Sequence, residues 1–184
     1  RIIIGVLLLI GIGIGAATIA VAMTDVPSPN EVSSSEATIV YWAGGRNELG
    51  RLGEATRRSV PLASVPIEVQ NAVLAAEDRT FYEHGGISPL GLGRAIWNNV
   101  SGGSTQGGST ITQQYAKNAY LSQDRSWDRK IREALLAFKL ETVVSKSQIL
   151  EDYLNIIYLG RGAYGVESAS LAYFGVPVSQ LNYE

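Results

Sequence analysis

The chain has 184 residues, 46% of them hydrophobic and 17% charged, with a formal charge of −2. Fifteen Lys and Arg against seventeen Asp and Glu give no basic surface for nucleic acid. The absence of Cys excludes disulfides, thiolate metal sites and a thiol nucleophile.

Ile2 to Met23 is a run of twenty-two positions without an ionisable side chain, bounded by Arg1 and Asp25. A helix of that length runs roughly 33 Å, against a hydrocarbon core of about 30 Å, and predicts a membrane anchor over residues 1–24. Ala20-Val21-Ala22 resembles a signal-peptide cleavage site. An h-region, however, spans only about 7–15 residues, so length favours a transmembrane helix. Arg1 on one flank, and no Lys or Arg until Arg46 on the other, put the N-terminus in the cytoplasm and the rest outside. Gly11 and Gly15 have small-xxx-small spacing, which chance explains among the glycines of this segment.

Residues 25–63 read as a linker with a short β segment. Thr24 to Ala37 is polar and rich in Pro and Ser, and Thr38 to Trp42 is a β-branched and aromatic strand before a Gly44-Gly45 turn. From Ser64 the pattern is helical, and residues 64–184 form the main domain. Ser64-Val65-Pro66 starts a helix running toward Gly85-Gly86, and Ser88-Pro89 opens another that stops near Ser101. Ser109 or Thr110 caps a third. Ser126 begins a long helix to about Val144, with Trp127, Ile131, Ala134, Leu135 and Phe138 at helical spacing. Ser145 and Gln148 have capping-box spacing before the next helix, and a last one from Val166 to Tyr173 ends at Gly175. The domain is mostly α.

Three stretches carry chemistry. In the first helix Val69, Ala72, Val73 and Ala76 make an apolar stripe, and Glu77-Asp78-Arg79 follows it. An apolar surrounding and the negative helix end would both raise the Glu77 carboxyl and suit it as a general base. The plainer alternative is a solvated helix-end carboxylate paired with Arg79. His84, the one histidine, suits a hydrogen-bonding group or C-cap, not a metal centre. In Gly107 to Asn118, Ser109 and Thr110 stand at a helix N-terminus after two glycines, a natural place for an anion. Gln113, Gln114 and Lys117 follow within two turns. The alternative there is an ordinary capped helix. In Asp124 to Glu141, Arg125, Arg129, Lys130, Arg132 and Glu133 crowd into nine residues. They suit surface ion pairs, or a phosphate pocket with one embedded carboxylate. Because Mg²⁺ binds through one or two carboxylates plus substrate phosphates, Glu133 is a candidate ligand for an ion shared with a diphosphate. Together these suit sugar chemistry on a lipid-linked diphosphate.

The ordered set EDRTFYEHGG, GGSTITQQYAKN, RKIREALLAFKLE, SQILEDYLNIIYLGRGAYGVESAS and YFG resembles the peptidoglycan glycosyltransferases. This domain occurs in class A penicillin-binding proteins and in monofunctional transglycosylases. The likeness covers about residues 60–180. It implies a lysozyme-like, two-lobed α-helical domain that polymerises lipid II into β-1,4-linked glycan strands, with inversion and release of undecaprenyl diphosphate. It implies Glu77 as the base and Glu133 as a second glutamate assisting at the diphosphate with Mg²⁺ or Mn²⁺. Lys117 and Arg125, and less closely Arg129 and Lys130, match cations that contact the diphosphate. Ser109, Thr110, Gln113 and Gln114 match the cleft lining, and Asp78, Arg79 and His84 match positions that shape the site. The expected partners are lipid II, the growing glycan chain, the bacterial cytoplasmic membrane and other wall-synthesis proteins.

Two departures stand out: Ser88-Pro89 replaces an Asp found in many members, and the family continues beyond Glu184, so the domain is expected to be incomplete. Two other readings compete. A lysozyme-like hydrolase or lytic transglycosylase needs no cations for a diphosphate, so Lys117 and Arg125 argue against it. A catalytically silent wall-synthesis scaffold needs neither glutamate.

Overall fold

In the computed structural model the described residues are 5, 11, 12, 15, 19, 21–26, 38–44, 48–52, 56–88, 91, 93, 97, 108–121 and 127–182. Within the predicted anchor, residues 5, 11, 12, 15, 19, 21 and 22 are helical, and the other positions up to Ala20 lie outside the described residues. Among the described residues no helix is long and apolar enough to cross a membrane. Of the polar stretch Thr24 to Ala37, residues 27–37 also lie outside them, but its start does not. Val26 packs against the core, and Thr24 and Asp25 line a cavity of about 350 Å³ with Tyr120, Leu121, Arg132, Leu135 and Leu136.

The expected strand is present as β1 (Thr38–Tyr41), paired antiparallel with β2 (Glu48–Leu52) across the Gly44 turn. A short β3 (Thr56–Arg57) pairs in parallel with a distant β4 (Ala163–Tyr164). The chain then stays attached to the helical part. The Asn155 side chain exchanges two 2.9 Å hydrogen bonds with the Val60 backbone, and Glu151 accepts from the Leu62 N–H at 2.7 Å. These bonds bind residues 60–62 to the helical domain, although the sequence reading opens it at residue 64.

After a 3₁₀ turn at Leu62–Ser64 come five helices whose bounds are described: α1 (Ile67–Glu77), α2 (Ile111–Tyr120), α3 (Trp127–Val143), α4 (Lys146–Ile156) and α5 (Val166–Phe174). Thr110 caps α2 in a full capping box. Its hydroxyl accepts from Gln113 N–H at 3.1 Å, and the Gln113 side chain accepts from Thr110 N–H at 3.0 Å. Ser145 caps α4 through Gln148 N–H, and Gly175 ends α5 in the left-handed conformation. Of the helix expected from Ser88, only the start and a few positions are described. Ser88 Oγ accepts from Gly91 N–H at 3.0 Å, an N-cap contact, and residues 91, 93 and 97 are helical.

The core lies where α2 packs against α3 and α4. Ile111, Tyr115 and Ala116 meet Leu136, Ala137 and Leu140, and Ile149, Leu150, Tyr153 and Leu154 close the other side. Each such large side chain contributes about 1.5–3 kcal/mol by leaving water. Two sequence expectations are corrected here. On α3 the buried face is Glu133, Leu136, Ala137 and Leu140, while Ile131 and Phe138 are 60% and 47% exposed. The helix is rotated away from the apolar stripe because Glu133 and its cationic partners, described below, occupy the inner face. On α1, Ala72 and Ala76 of the expected stripe are exposed, and only Val69, Val73 and Leu74 pack on the core.

One polar cluster lies near this core. Tyr115 O–H donates to Asp152 Oδ2 at 3.1 Å, and Gln148 Nε2 donates to Oδ1 at 3.0 Å. Burial pushes the Asp152 carboxyl above its ordinary range, against the two hydrogen bonds that favour the anion. A carboxyl raised in the folded state binds more protons there than in the unfolded chain. This group's contribution to stability therefore falls as pH rises from the ordinary carboxylate range through the raised value, and is constant above it. Thermal unfolding of wild type and Asp152→Asn across about pH 4–8 is expected to show that the variant lacks this component of the slope. Parallel pH profiles would contradict the assignment.

Candidate active site

The site is assembled around the N-terminal half of α2. The sequence predicted that the first helix runs on toward Gly85, but α1 ends at Glu77. Asp78 leaves the helix with φ −158° and ψ 82°, and its carboxylate explains why. It accepts the Ile111 N–H at 3.1 Å and faces His84 Nε2 at 2.9 Å. A carboxylate on the first N–H of α2 also meets the positive end of that helix. Residues 78–86 thus fold as turns across the start of α2, with Phe81 buried beneath them. Gly86 completes the docking. Its carbonyl accepts the Thr110 hydroxyl at 2.6 Å, its φ is +81°, and a Cβ there would lie 2.7 Å from the Ala137 carbonyl oxygen.

This bend brings Glu77 to α2. Gln114 Nε2 donates to Glu77 Oε2 at 2.7 Å, and Tyr153 O–H donates to Gln114 Oε1 at 3.2 Å. Glu77 itself is exposed, so the apolar surrounding expected of it is replaced by a hydrogen-bonded surface position. Arg79 does not take the place of Gln114, because its Nε donates to the Ala75 carbonyl at 3.0 Å, a helix-end contact. Lys117 lies one turn beyond Gln114 on α2, half-buried. Gln113 faces differently. It is buried in the capping box with Thr110, so those two shape the helix start while Ser109 and Gln114 reach the side chains around it.

On the other side Ser109 Oγ accepts from Lys130 Nζ at 2.8 Å, and Lys130 also pairs with Glu133 Oε1. Arg129 Nη1 takes the second oxygen, Oε2, at 3.1 Å. Glu133 is 2% exposed. Both of its oxygens therefore meet cations, and a divalent ion placed there would face two like charges. Among the described residues no three His, Asp or Glu side chains converge as metal ligands. The donor set around Glu133 does not fit a resident Mg²⁺ or Mn²⁺; it fits an anion that holds Arg129 and Lys130 in place. Arg125 lies outside the described residues.

Glu133→Gln should therefore read first in stability. Hydrogen bonds to charged groups contribute about 1.5–3 kcal/mol each, and an amide leaves two cations uncompensated. Partial exposure of Lys130 moderates the loss. We expect destabilisation of about 2 kcal/mol in urea unfolding. A change within about 0.5 kcal/mol, the range of ordinary surface substitutions, would show that the triad is not a structural brace.

The family model described as Transglycosylase matches residues 45–184. The chain belongs to the transglycosylase family. Penicillin-binding protein 1A of Mycobacterium tuberculosis is 45% identical over 170 residues, which cover 89% of this chain and 21% of that protein. The protein of the same name from Aquifex aeolicus is 47% identical over 164 residues, 87% of this chain and 22% of that protein. The one from Neisseria cinerea is 43% identical over 175 residues, 93% of this chain and 22% of that protein. The chain thus spans about a fifth of the length of these curated relatives.

The transglycosylase domain also holds polar groups that the motifs did not single out. Glu141 accepts from the Thr112 hydroxyl at 2.5 Å and from Lys146 Nζ at 2.7 Å, and Lys146 Nζ lies 4.3 Å from the centre of the Phe81 ring. These contacts tie α2, α3, α4 and the Phe81 turn together beneath the site. Tyr153 was missed for another reason. It sits among core positions of α4, where only the need of a buried phenol for a partner could have marked it.

Proposed function

We propose that this transglycosylase domain is the polymerising part of a membrane-anchored enzyme that builds β-1,4-linked glycan strands from lipid II. The observation that carries the reading is the pairing of the Glu77 carboxylate with Gln114, one helical turn from Lys117. Glu77 acts as general base on the 4-hydroxyl of the acceptor N-acetylglucosamine. As the O–H bond breaks, that oxygen attacks the anomeric carbon of the lipid-linked donor chain from the face opposite the diphosphate. The anomeric C–O bond breaks with inversion, and undecaprenyl diphosphate leaves with its electron pair. Lys117, with Arg125, meets the developing charge on that diphosphate. Lys130 and Arg129 add positive potential beside Ser109, with Glu133 fixing their positions. No step is assigned to a divalent cation.

A substrate with a polyprenyl tail requires the site to stand at a membrane. The apolar run Ile2 to Met23 serves as a single-pass anchor in the bacterial cytoplasmic membrane, N-terminus in the cytoplasm and the domain outside. The exposed side chains of Trp97, Ile131 and Phe138 offer apolar surface that suits an approach to the bilayer. Other wall-synthesis proteins are the expected neighbours of such an enzyme.

Incubating full-length protein with lipid II tests the reading. Polymer with released undecaprenyl diphosphate is the expected product. Cleavage of preformed glycan with no polymer would favour a lytic enzyme, and neither activity would favour a scaffold. Protease applied to spheroplasts should reach the chain from Thr24 onward; protection of that segment would invert the proposed topology.

A further inference from the structure

We infer that Tyr153 is a positioning residue for Glu77, acting through the side chain of Gln114. The inference rests on the reading of Glu77 as the base and adds a residue from α4 to which the motifs give no role.

A carboxylate only accepts hydrogen bonds, so the 2.7 Å contact to Glu77 Oε2 fixes the Gln114 amide with its NH₂ toward Glu77. Its oxygen then points the other way, toward the Tyr153 hydroxyl at 3.2 Å. An amide oxygen only accepts, so the phenol must donate. Both hydrogen bonds run the same way, from Tyr153 through Gln114 to Glu77, and bonds in such a chain polarise one another.

The two ends of this hydrogen-bonded chain differ in rigidity. Glu77 is exposed at the end of α1, a place where a flexible carboxylate samples several rotamers. Gln114 is half-buried. Tyr153 is fully buried among the core residues of α4. The chain therefore runs from a fixed ring to a free surface carboxylate and restricts the latter. Burial also raises the Tyr153 phenol well above its ordinary value, and the negative charge of Glu77 adds to that rise. The phenol thus remains a donor throughout any working pH. Among the described residues, Glu77 has the charged chain neighbours Asp78 and Arg79, and Lys117 stands one turn from its partner Gln114. Of these, Asp78 faces His84 and Arg79 bonds the Ala75 carbonyl.

Tyr153→Phe keeps the buried ring and removes only the hydroxyl. With lipid II as substrate, kcat is expected to fall roughly 3- to 10-fold, the scale of one hydrogen bond, with KM within about twofold. The loss should fall on kcat and not on KM, because a loosened Gln114 holds Glu77 less firmly but leaves the substrate contacts in place. A phenol that merely fills the core would change none of these. The double variant separates the two roles further. If Tyr153 acts through Gln114, Tyr153→Phe should cause no additional loss of kcat in a Gln114→Ala background.

Carbon-13 NMR relaxation of the Glu77 side chain in the full chain, in detergent, gives a readout independent of turnover. The expected result is lower side-chain order in Tyr153→Phe, and a similar loss in Gln114→Ala, which serves should the first variant fail to fold. Unchanged order, or kcat losses that simply add in the double variant, would overturn the inference. Absence of polymer from the wild-type protein would remove the proposed activity, and the side-chain order would still decide whether Tyr153 positions Glu77.

Discussion

Glu77→Gln is expected to lose polymerisation by about 10²–10⁴-fold while the domain remains folded. Gln has the shape of Glu but cannot take the proton of the acceptor hydroxyl. The amide can still accept from Gln114 Nε2 through its own oxygen, so the geometry at the end of α1 survives. Stability should change by no more than about 0.5 kcal/mol, because Glu77 is exposed and its contact is with an uncharged amide. Steady-state turnover of lipid II, with circular dichroism and urea unfolding on the same samples, checks both halves. Turnover within about twofold of wild type would mean that another group takes the proton. Loss of turnover with an unfolded domain would count only as a structural effect.

Much of the frame was legible because its signals are local. Thr110 and Gln113 announce the start of α2 by spacing alone, and Gly175 ends α5 by supplying the left-handed conformation. The strand at Thr38 follows from β-branched and aromatic composition. What failed depends on contacts distant in sequence. α1 stops at Glu77 because Asp78 bonds His84 and the start of α2, and α2 lies more than thirty residues away. The buried face of α3 differs from the apolar spacing because that spacing counts Ile131 and Phe138, which are exposed, and leaves out Glu133, which is buried. Two cations from the same helix reverse that ranking by neutralising the buried carboxylate. β3 and β4 are two residues each and pair across the domain, too short to carry a pattern.

The candidate site divides in the same way. Glu77 meets Gln114, one turn from Lys117, while Ser109 meets Lys130 and Glu133, so residues read from three separate stretches gather in two clusters about α2. Thr110 and Gln113 prove to be capping residues whose polar atoms face the backbone. Asp78 and His84 hold the turn that delivers Glu77, and Arg79 closes the end of α1. The residue types thus marked a candidate site, while which contacts each of them makes required the fold.

That division also decides which cation to test. Arg129 and Lys130 are engaged by Glu133, so removing either disturbs a buried carboxylate as well as any substrate contact. Lys117 is different. It is half-buried on α2 beyond Gln114 and has no ion-pair partner among the described residues. A partly desolvated ammonium with no counter-ion among the described residues leaves its field available to an anionic ligand. If it meets the leaving diphosphate, the interaction strengthens as the anomeric C–O bond breaks and charge accumulates. Lys117→Ala should then lower kcat by about 10²–10³-fold, the scale of one preorganised charge-stabilising donor, with a smaller change in KM. Arg125→Ala is expected to behave alike. Lys117→Arg should recover part of the loss, since it restores the charge with a different shape. Were Lys117 an ordinary surface cation, its removal would cost under about 1 kcal/mol of stability and leave turnover alone. Normal kcat on lipid II in a folded Lys117→Ala protein would therefore remove the diphosphate from this side of α2.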